Sequence, residues 1–299
     1  MTSGSTAAEA PGISPAPRRF PLAWLGVVPF FLFAIGFLFL PISYLVIGSF
    51  QDPAGAPTLA NYGGLSTEIV LKAYQNSVLI SAITALGGGI FGFLLAWSVI
   101  LGGLPRFLRT ALTTFSGVAS NFAGVPLALA FVFTIGNNGL LTILLQEQLG
   151  FSLIDAGFTI YSIWGIAIVY MYFQFPLMVL IIAPAIDGLR REWREAAENM
   201  GATPFQYWTG VGLPILMPSI LGTVILLFGN AFGAQATAFQ LTGGTIPIAP
   251  VVIGAQIRGD VLRNPGLGYA MAMGMVAIMT VSISVYVWLQ RRSERWLRS

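Results

Sequence analysis

The chain has 299 residues, of which 56% are hydrophobic and only 8% charged, against about a quarter charged in ordinary soluble domains. So little charge leaves the apolar side chains facing lipid rather than water, which excludes a soluble globular protein. The absence of Cys and His removes disulfides, thiolate chemistry and the commonest general base and metal ligand.

Residues 1–19 are rich in Ala, Pro, Ser and Gly and carry no hydrophobic period, which predicts a disordered tail. Arg18 and Arg19 then precede an apolar run over 22–48. That run is much longer than the 7–15 residues of a signal-peptide core, so it reads as a retained membrane helix. Five more apolar runs follow, at about 76–102, 111–136, 159–186, 214–239 and 267–289. Each is long enough for a hydrocarbon core, which takes about 20 helical residues. The expected fold class is therefore all-α, polytopic, with six transmembrane helices. Pro29, Pro41, Pro126 and Pro176 fall inside these runs, where membrane helices tolerate them. Gly88 and Gly92 make a small-xxx-small pair suited to close helix packing.

The basic residues orient the chain. With the N-terminus in the cytoplasm, Arg18, Arg19, Arg106, Arg109, Arg190, Arg191, Arg194, Arg291, Arg292, Arg295 and Arg298 lie inside, and only Lys72, Arg258 and Arg263 lie outside. This is the positive-inside pattern, with both termini cytoplasmic. The net charge of +3 thus reports membrane orientation, and no nucleic-acid partner is expected. Trp296 and the last arginines read as an anchor to anionic membrane lipid. The outer loops are 49–75, 137–158 and 240–266. A short helix is expected over Leu140–Leu149, from its leucine spacing, and another from Val251 to Ile257. The domain reading is a tail (1–19), a first helix with its outer loop (20–70), a membrane core (71–290) and a basic tail (291–299).

The longest cytoplasmic loop, 187–214, carries the most information. Leu189, Trp193, Ala197 and Met200 recur at helical spacing, which places them on one face. Arg191 stands four residues before Glu195, and Arg194 four before Glu198, the spacing of helical ion pairs. Gly201 stands where this helix should stop. Thr203, Pro204 and Gln206 then spell a capping box with proline in the first helical position. Phe205, Tyr207 and Trp208 are expected on display in the next turn. The expected object is a rigid helix–turn–helix lever.

The loop resembles a known pattern: E-A-A, three residues, G, nine residues, then I-x-L-P. Here it reads Glu195-Ala196-Ala197, Gly201, Val211, Leu213 and Pro214, with Val in place of Ile. The chain is thereby similar to membrane subunits of binding-protein-dependent ABC importers, from about Tyr74 to Leu289, beginning at Asn76-Ser77. The resemblance implies the type I importer transmembrane fold in a bacterial cytoplasmic membrane. It implies that Glu195, Ala196, Ala197, Gly201, Ala202, Thr203, Pro204, Phe205 and Tyr207 couple to an ATPase. Further implied partners are two ATPase subunits carrying ATP and Mg, a second permease that is homologous rather than identical, and an extracytoplasmic substrate-binding protein. No cofactor is expected on this chain, which lacks a phosphate-binding P-loop. The stretches 120–126, 172–176 and 230–234 look most similar to the polyamine, opine and phosphonate branch, with sugar, ferric-ion and thiamine importers sharing the core.

None of the six runs holds a charged residue, whereas ion-coupled carriers mark their pathways with such groups. That disfavours an ATP-independent channel or carrier, and a membrane enzyme lacks the residues for chemistry. Neutral polar groups remain for a substrate path: Asn121, Tyr170, Gln174, Asn230 and Gln235. Each could instead make an ordinary interhelical hydrogen bond.

Overall fold

The computed structural model describes residues 23–103, 105–259 and 263–295. Expectations on the tail at 1–19, on Arg18 and Arg19, and on Trp296 and Arg298 fall outside these residues. The chain divides into two compact units, 1–44 and 45–299. In the first, α1 (Ala23–Ala34) contains Pro29 and passes through a π-helical turn (Ile35–Phe39) into α2 (Leu40–Ser49). Its phenylalanines point outward, Phe33 and Phe37 stacked at 5.0 Å.

The second unit contains α3 (Ala60–Gly63), α4 (Glu68–Leu101), α5 (Arg106–Asn121), α6 (Val125–Ile135), α7 (Leu140–Leu149) and α8 (Ile163–Asp187). After the 187–214 loop come α11 (Leu213–Phe232), α12 (Ala236–Thr242), α13 (Ala249–Arg258) and α14 (Pro265–Arg295), with α9 and α10 inside the loop as described below. The described residues contain no strand. Six stretches are long and apolar enough to cross a bilayer: Gly26–Ser49, Glu68–Leu101, Val125–Leu149, Ile163–Asp187, Pro204–Gly233 and Pro265–Arg291. The short helices expected over Leu140–Leu149 and from Val251 to Ile257 are present as α7 and α13, but α7 belongs to the third of these stretches, Val125–Leu149, rather than to a loop beyond it.

Three of the expected helix limits are corrected. The second helix starts at Glu68 rather than 76: Glu68, Lys72 and Gln75 interrupt the hydropathy of its first turns, while Val70 and Ala73 are buried there. The run at 111–136 is not one helix. It breaks at Phe122–Gly124 into α5 and α6, with Gly124 at φ +76° and Pro126 near the start of α6. The run at 214–239 likewise ends at Phe232, and α12 begins after Gly233–Gln235.

Helix α8 is the centre of the bundle, with α4, α5 and α11 packed along it. Inside a bilayer this packing rests on close contact rather than on expulsion of water. Gly88 and Gly92 make it possible. A Cβ on Gly88 would lie 2.6 Å from the Gln174 Cβ, and one on Gly92 would lie 2.6 Å from the Met178 Cβ and 2.8 Å from the Phe175 carbonyl. Around this seam Met178, Val179, Ile182, Ile186, Leu216 and Leu227 form one core cluster, and Ile80, Leu127, Ile166, Tyr170 and Phe173 belong to a second. Asn76 and Ser77 tie α4 to the entry of α13. The Asn76 amide donates to the Pro247 carbonyl at 2.9 Å, and the Ala249 N–H donates to Ser77 Oγ at 2.8 Å.

Candidate coupling loop and substrate path

Helix α8 ends at Asp187, and Arg190 opens α9 (Arg191–Asn199). The two expected ion pairs are present: Arg191–Glu195 and Arg194–Glu198, each at 2.8 Å. Ala197 is buried, and Leu189 packs against a core cluster. The end of α9 follows from hydrogen bonds. The Gly201 N–H donates to the Glu198 carbonyl at 2.9 Å and the Ala202 N–H to the Ala197 carbonyl at 3.0 Å. This pair of bonds is a Schellman closure, which needs a left-handed residue at Gly201, and its φ is +82°.

Thr203 then caps α10 (Pro204–Tyr207). The Gln206 N–H donates to Thr203 Oγ1 at 3.3 Å, and the Thr203 N–H donates to Gln206 Oε1 at 2.8 Å. Two opposed signals, a helix stop and a helix start, thus fix a sharp turn within three residues. Helix α10 does not stand alone. It continues through a π-helical turn (Trp208–Gly212) directly into α11. Any displacement of the turn is therefore applied to the end of a membrane helix.

Two expectations about this loop are corrected. Met200 is off the packed face and 81% exposed, because it sits at the cap, after the last helical turn. Of the three aromatics expected on display, only Phe205 is exposed, at 77%. Tyr207 is buried, and Trp208 meets Trp97 of α4 edge-to-face at 5.6 Å. The tip of the lever therefore presents two apolar side chains, Met200 and Phe205, on either side of Gly201. Glu195 and Glu198 are held on the flank by their arginines.

The five polar path candidates gather around the two helix breaks. Asn121 is the last residue of α5, Gln235 lies in the second break, and Asn230 precedes that break by about one turn. All three are exposed. The Asn121 amide donates to the Gly117 carbonyl at 2.8 Å, and the Gln235 amide lies against Gly254. Tyr170 and Gln174 are interior. The Tyr170 hydroxyl donates to the Ala234 carbonyl at 2.5 Å, which the second break has freed from helical bonding. The Gln174 amide donates to the Leu227 carbonyl at 2.9 Å, and its Oε1 is buried without a partner among the described residues. Both therefore hold the helices together and do not line an open path in this state.

Thr237 and Gly124 escaped the sequence reading. The Gly124 N–H donates to Thr237 Oγ1 at 2.9 Å, and that hydroxyl donates to the Gly124 carbonyl at 3.3 Å. One side chain therefore ties the first break to the second. The signal available for the first break was Gly-Val-Pro, a proline near a helix start after a glycine. Thr237 itself gave none.

The family model for the binding-protein-dependent transport system inner membrane component matches residues 88–295. This chain belongs to that family: it is the permease subunit of an ABC importer, a multi-pass inner-membrane protein and not itself an enzyme. It is 30% identical over 214 residues to the sulfate transport system permease protein CysT of Salmonella typhimurium, covering 71% of this chain and 72% of that one. It is 32% identical over 118 residues to the spermidine/putrescine transport system permease protein PotB of Haemophilus influenzae, covering 39% and 40%. Among solved structures, a bacterial ABC transporter importing the acidic polysaccharide alginate shares the fold, with TM-score 0.70 at 18% identity over 91% of this chain and 95% of that one.

Proposed function

We propose that the 187–214 loop is the coupling element of this permease, seated on one of two ATPase subunits that carry ATP and Mg. In this reading a homologous second permease completes the membrane core, and an extracytoplasmic binding protein delivers the solute. The observation that carries the reading is the exposed pair Met200 and Phe205, held on a doubly capped turn that continues into a membrane helix. Large apolar side chains on a rigid polar projection are the pattern of an anchor for a protein pocket. Phe205→Asp is expected to cut co-purification of the ATPase at least tenfold while the permease still accumulates in the membrane, since burying an unpaired carboxylate is costly. Unchanged retention of the ATPase by Phe205→Asp would remove the proposed docking site.

The cargo supported best is a small inorganic oxyanion of the sulfate type. The match to the sulfate permease spans 71% of the chain, whereas the polyamine permease matches 39%. A physical argument runs the same way. Acidic side chains in the spans occur only near their ends, at Glu68, Glu147 and Asp187, and a polycation would have no carboxylate to meet along the path. Neutral amides at Asn121, Asn230 and Gln235 suit an anion as N–H donors. A polyamine is the second reading, favoured by the likeness to the spermidine/putrescine permease. Uptake of labelled sulfate and labelled putrescine by the complete complex in proteoliposomes, with its own binding protein, separates the two.

A further inference from the structure

Arg109 and Asp187 form an ion pair between two helices, both side chains 41% exposed. Arg109 is the fourth residue of α5 and Asp187 the last residue of α8. Each charge stands at the wrong end of its own helix. The N-terminus of a helix carries partial positive charge and disfavours a cation, and the C-terminus disfavours an anion. Neither helix gains from its own charged residue, so the positions make physical sense as a pair across the two helices.

The place of the pair matters. Asp187 is where α8 hands over to the coupling loop. Arg109 is near the start of α5, whose other end is the break at Phe122–Gly124, and that break is joined through Thr237 to the one at Gly233–Gln235. The pairs Arg191–Glu195 and Arg194–Glu198 lie within α9 and travel with it. Arg109–Asp187 instead links the base of the loop to α5, a different helix of the bundle.

We propose that Arg109 and Asp187 are positioning residues, a strut that carries displacement of the coupling loop into α5 and so to the paired helix breaks. This rests on the reading of 187–214 as the coupling loop. The second input to the membrane domain, besides the direct continuation of α10 into α11, is then electrostatic and removable.

The test is transport stoichiometry in the complete reconstituted complex, measured as solute moved per ATP hydrolysed. Arg109→Gln and Asp187→Asn are each expected to lower that ratio roughly threefold to tenfold, inside the range of about twofold to thirtyfold over which single residues modulate coupling between sites. For Arg109→Gln, which lies outside the coupling loop, ATPase retention and hydrolysis should stay near wild type. Arg109→Lys keeps the charge and should keep most of the ratio. The exchange Arg109→Asp with Asp187→Arg should restore it to within about twofold. It should also melt no lower than wild type, because each charge then stands at the favourable end of its helix. Neutral variants with a wild-type ratio would overturn the strut. So would a folded exchange variant, or Arg109→Lys, as defective as the neutral ones. Loss of the ATPase from the neutral variants would make the pair part of the docking surface instead, and would also overturn it. Failure of the unmodified protein to retain any ATPase would overturn the coupling reading itself, a separate and recognisable result.

Discussion

Gly201→Val is expected to leave the complex assembled and hydrolysing ATP while solute transported per ATP falls about tenfold or more. The reason is conformational. No atom lies within 4 Å of the place a Cβ would occupy at Gly201, so the substitution meets no obstacle, but its φ of +82° is left-handed. Holding an ordinary L-residue there costs about 1–2 kcal/mol, and a β-branched one is worse placed still. The Schellman bonds from Gly201 and Ala202 to Glu198 and Ala197 exist only in that conformation. A penalty of about 1.4 kcal/mol shifts an equilibrium tenfold, so the turn loses at least that factor in population against its alternatives. Gly201→Asn is the control, since asparagine enters the left-handed region readily, and it should couple nearly as well as the wild type. A Gly201→Val protein with a normal transport-to-hydrolysis ratio at normal expression would show that the turn is not a rigid element of the mechanism.

Gly92→Leu is expected to have the largest effect on stability, with loss of most folded protein after extraction in mild detergent. Here the obstacle is steric. A Cβ would sit 2.6 Å from the Met178 Cβ and 2.8 Å from the Phe175 carbonyl oxygen, and the latter is backbone that cannot rotate away. Helices α4 and α8 would have to separate along the most extensive contact in the bundle. Overpacking a well-filled core costs about 1–3 kcal/mol even where side chains can adjust, and this site adds a backbone clash. One turn away, the same seam holds Gln174, whose bond to the Leu227 carbonyl depends on its present position. Gly117→Ala in α5 is the opposite case. Nothing lies within 4 Å of its Cβ position, and alanine in a helix should stabilise by about 0.5–1 kcal/mol. Thermal unfolding of both variants in the same detergent measures the contrast, and equal melting temperatures would refute the account of α4–α8 packing.

The capped turn at 201–206 was readable from sequence because its causes are local. Gly201, Thr203, Pro204 and Gln206 act on neighbours within a few residues, and the bonds they predict are present. The aromatic side chains beside them were misjudged for the opposite reason. Tyr207 and Trp208 turn inward because Trp97, on a distant part of the chain, offers Trp208 a ring edge. The helix breaks were missed because average hydropathy runs straight through them. Phe122, Ala123, Gly124, Gly233 and Ala234 are apolar or small like their surroundings, and Gln235 alone does not lower the average enough to mark a break. The stretches 120–126 and 230–234, which looked like family signatures, are the segments that contain or border the two breaks. Their composition follows from the need to leave a helix, free a carbonyl for Tyr170 and accept Thr237 at Gly124.

By itself, the sequence determined that this chain lives in a membrane, how many times it can cross, which way it faces and how its cytoplasmic loop turns. Hydropathy, charge counts and capping signals are sums over neighbouring residues and need no partner from elsewhere. Only the tertiary structure decided that the apolar runs 111–136 and 214–239 break, that the two breaks are tied through Thr237, that Tyr170 and Gln174 serve the bundle interior, and that Arg109 reaches Asp187. Each of those facts is a contact between segments remote in the chain, set by how closely α4 and α11 can approach α8, and no local signal encodes such a distance.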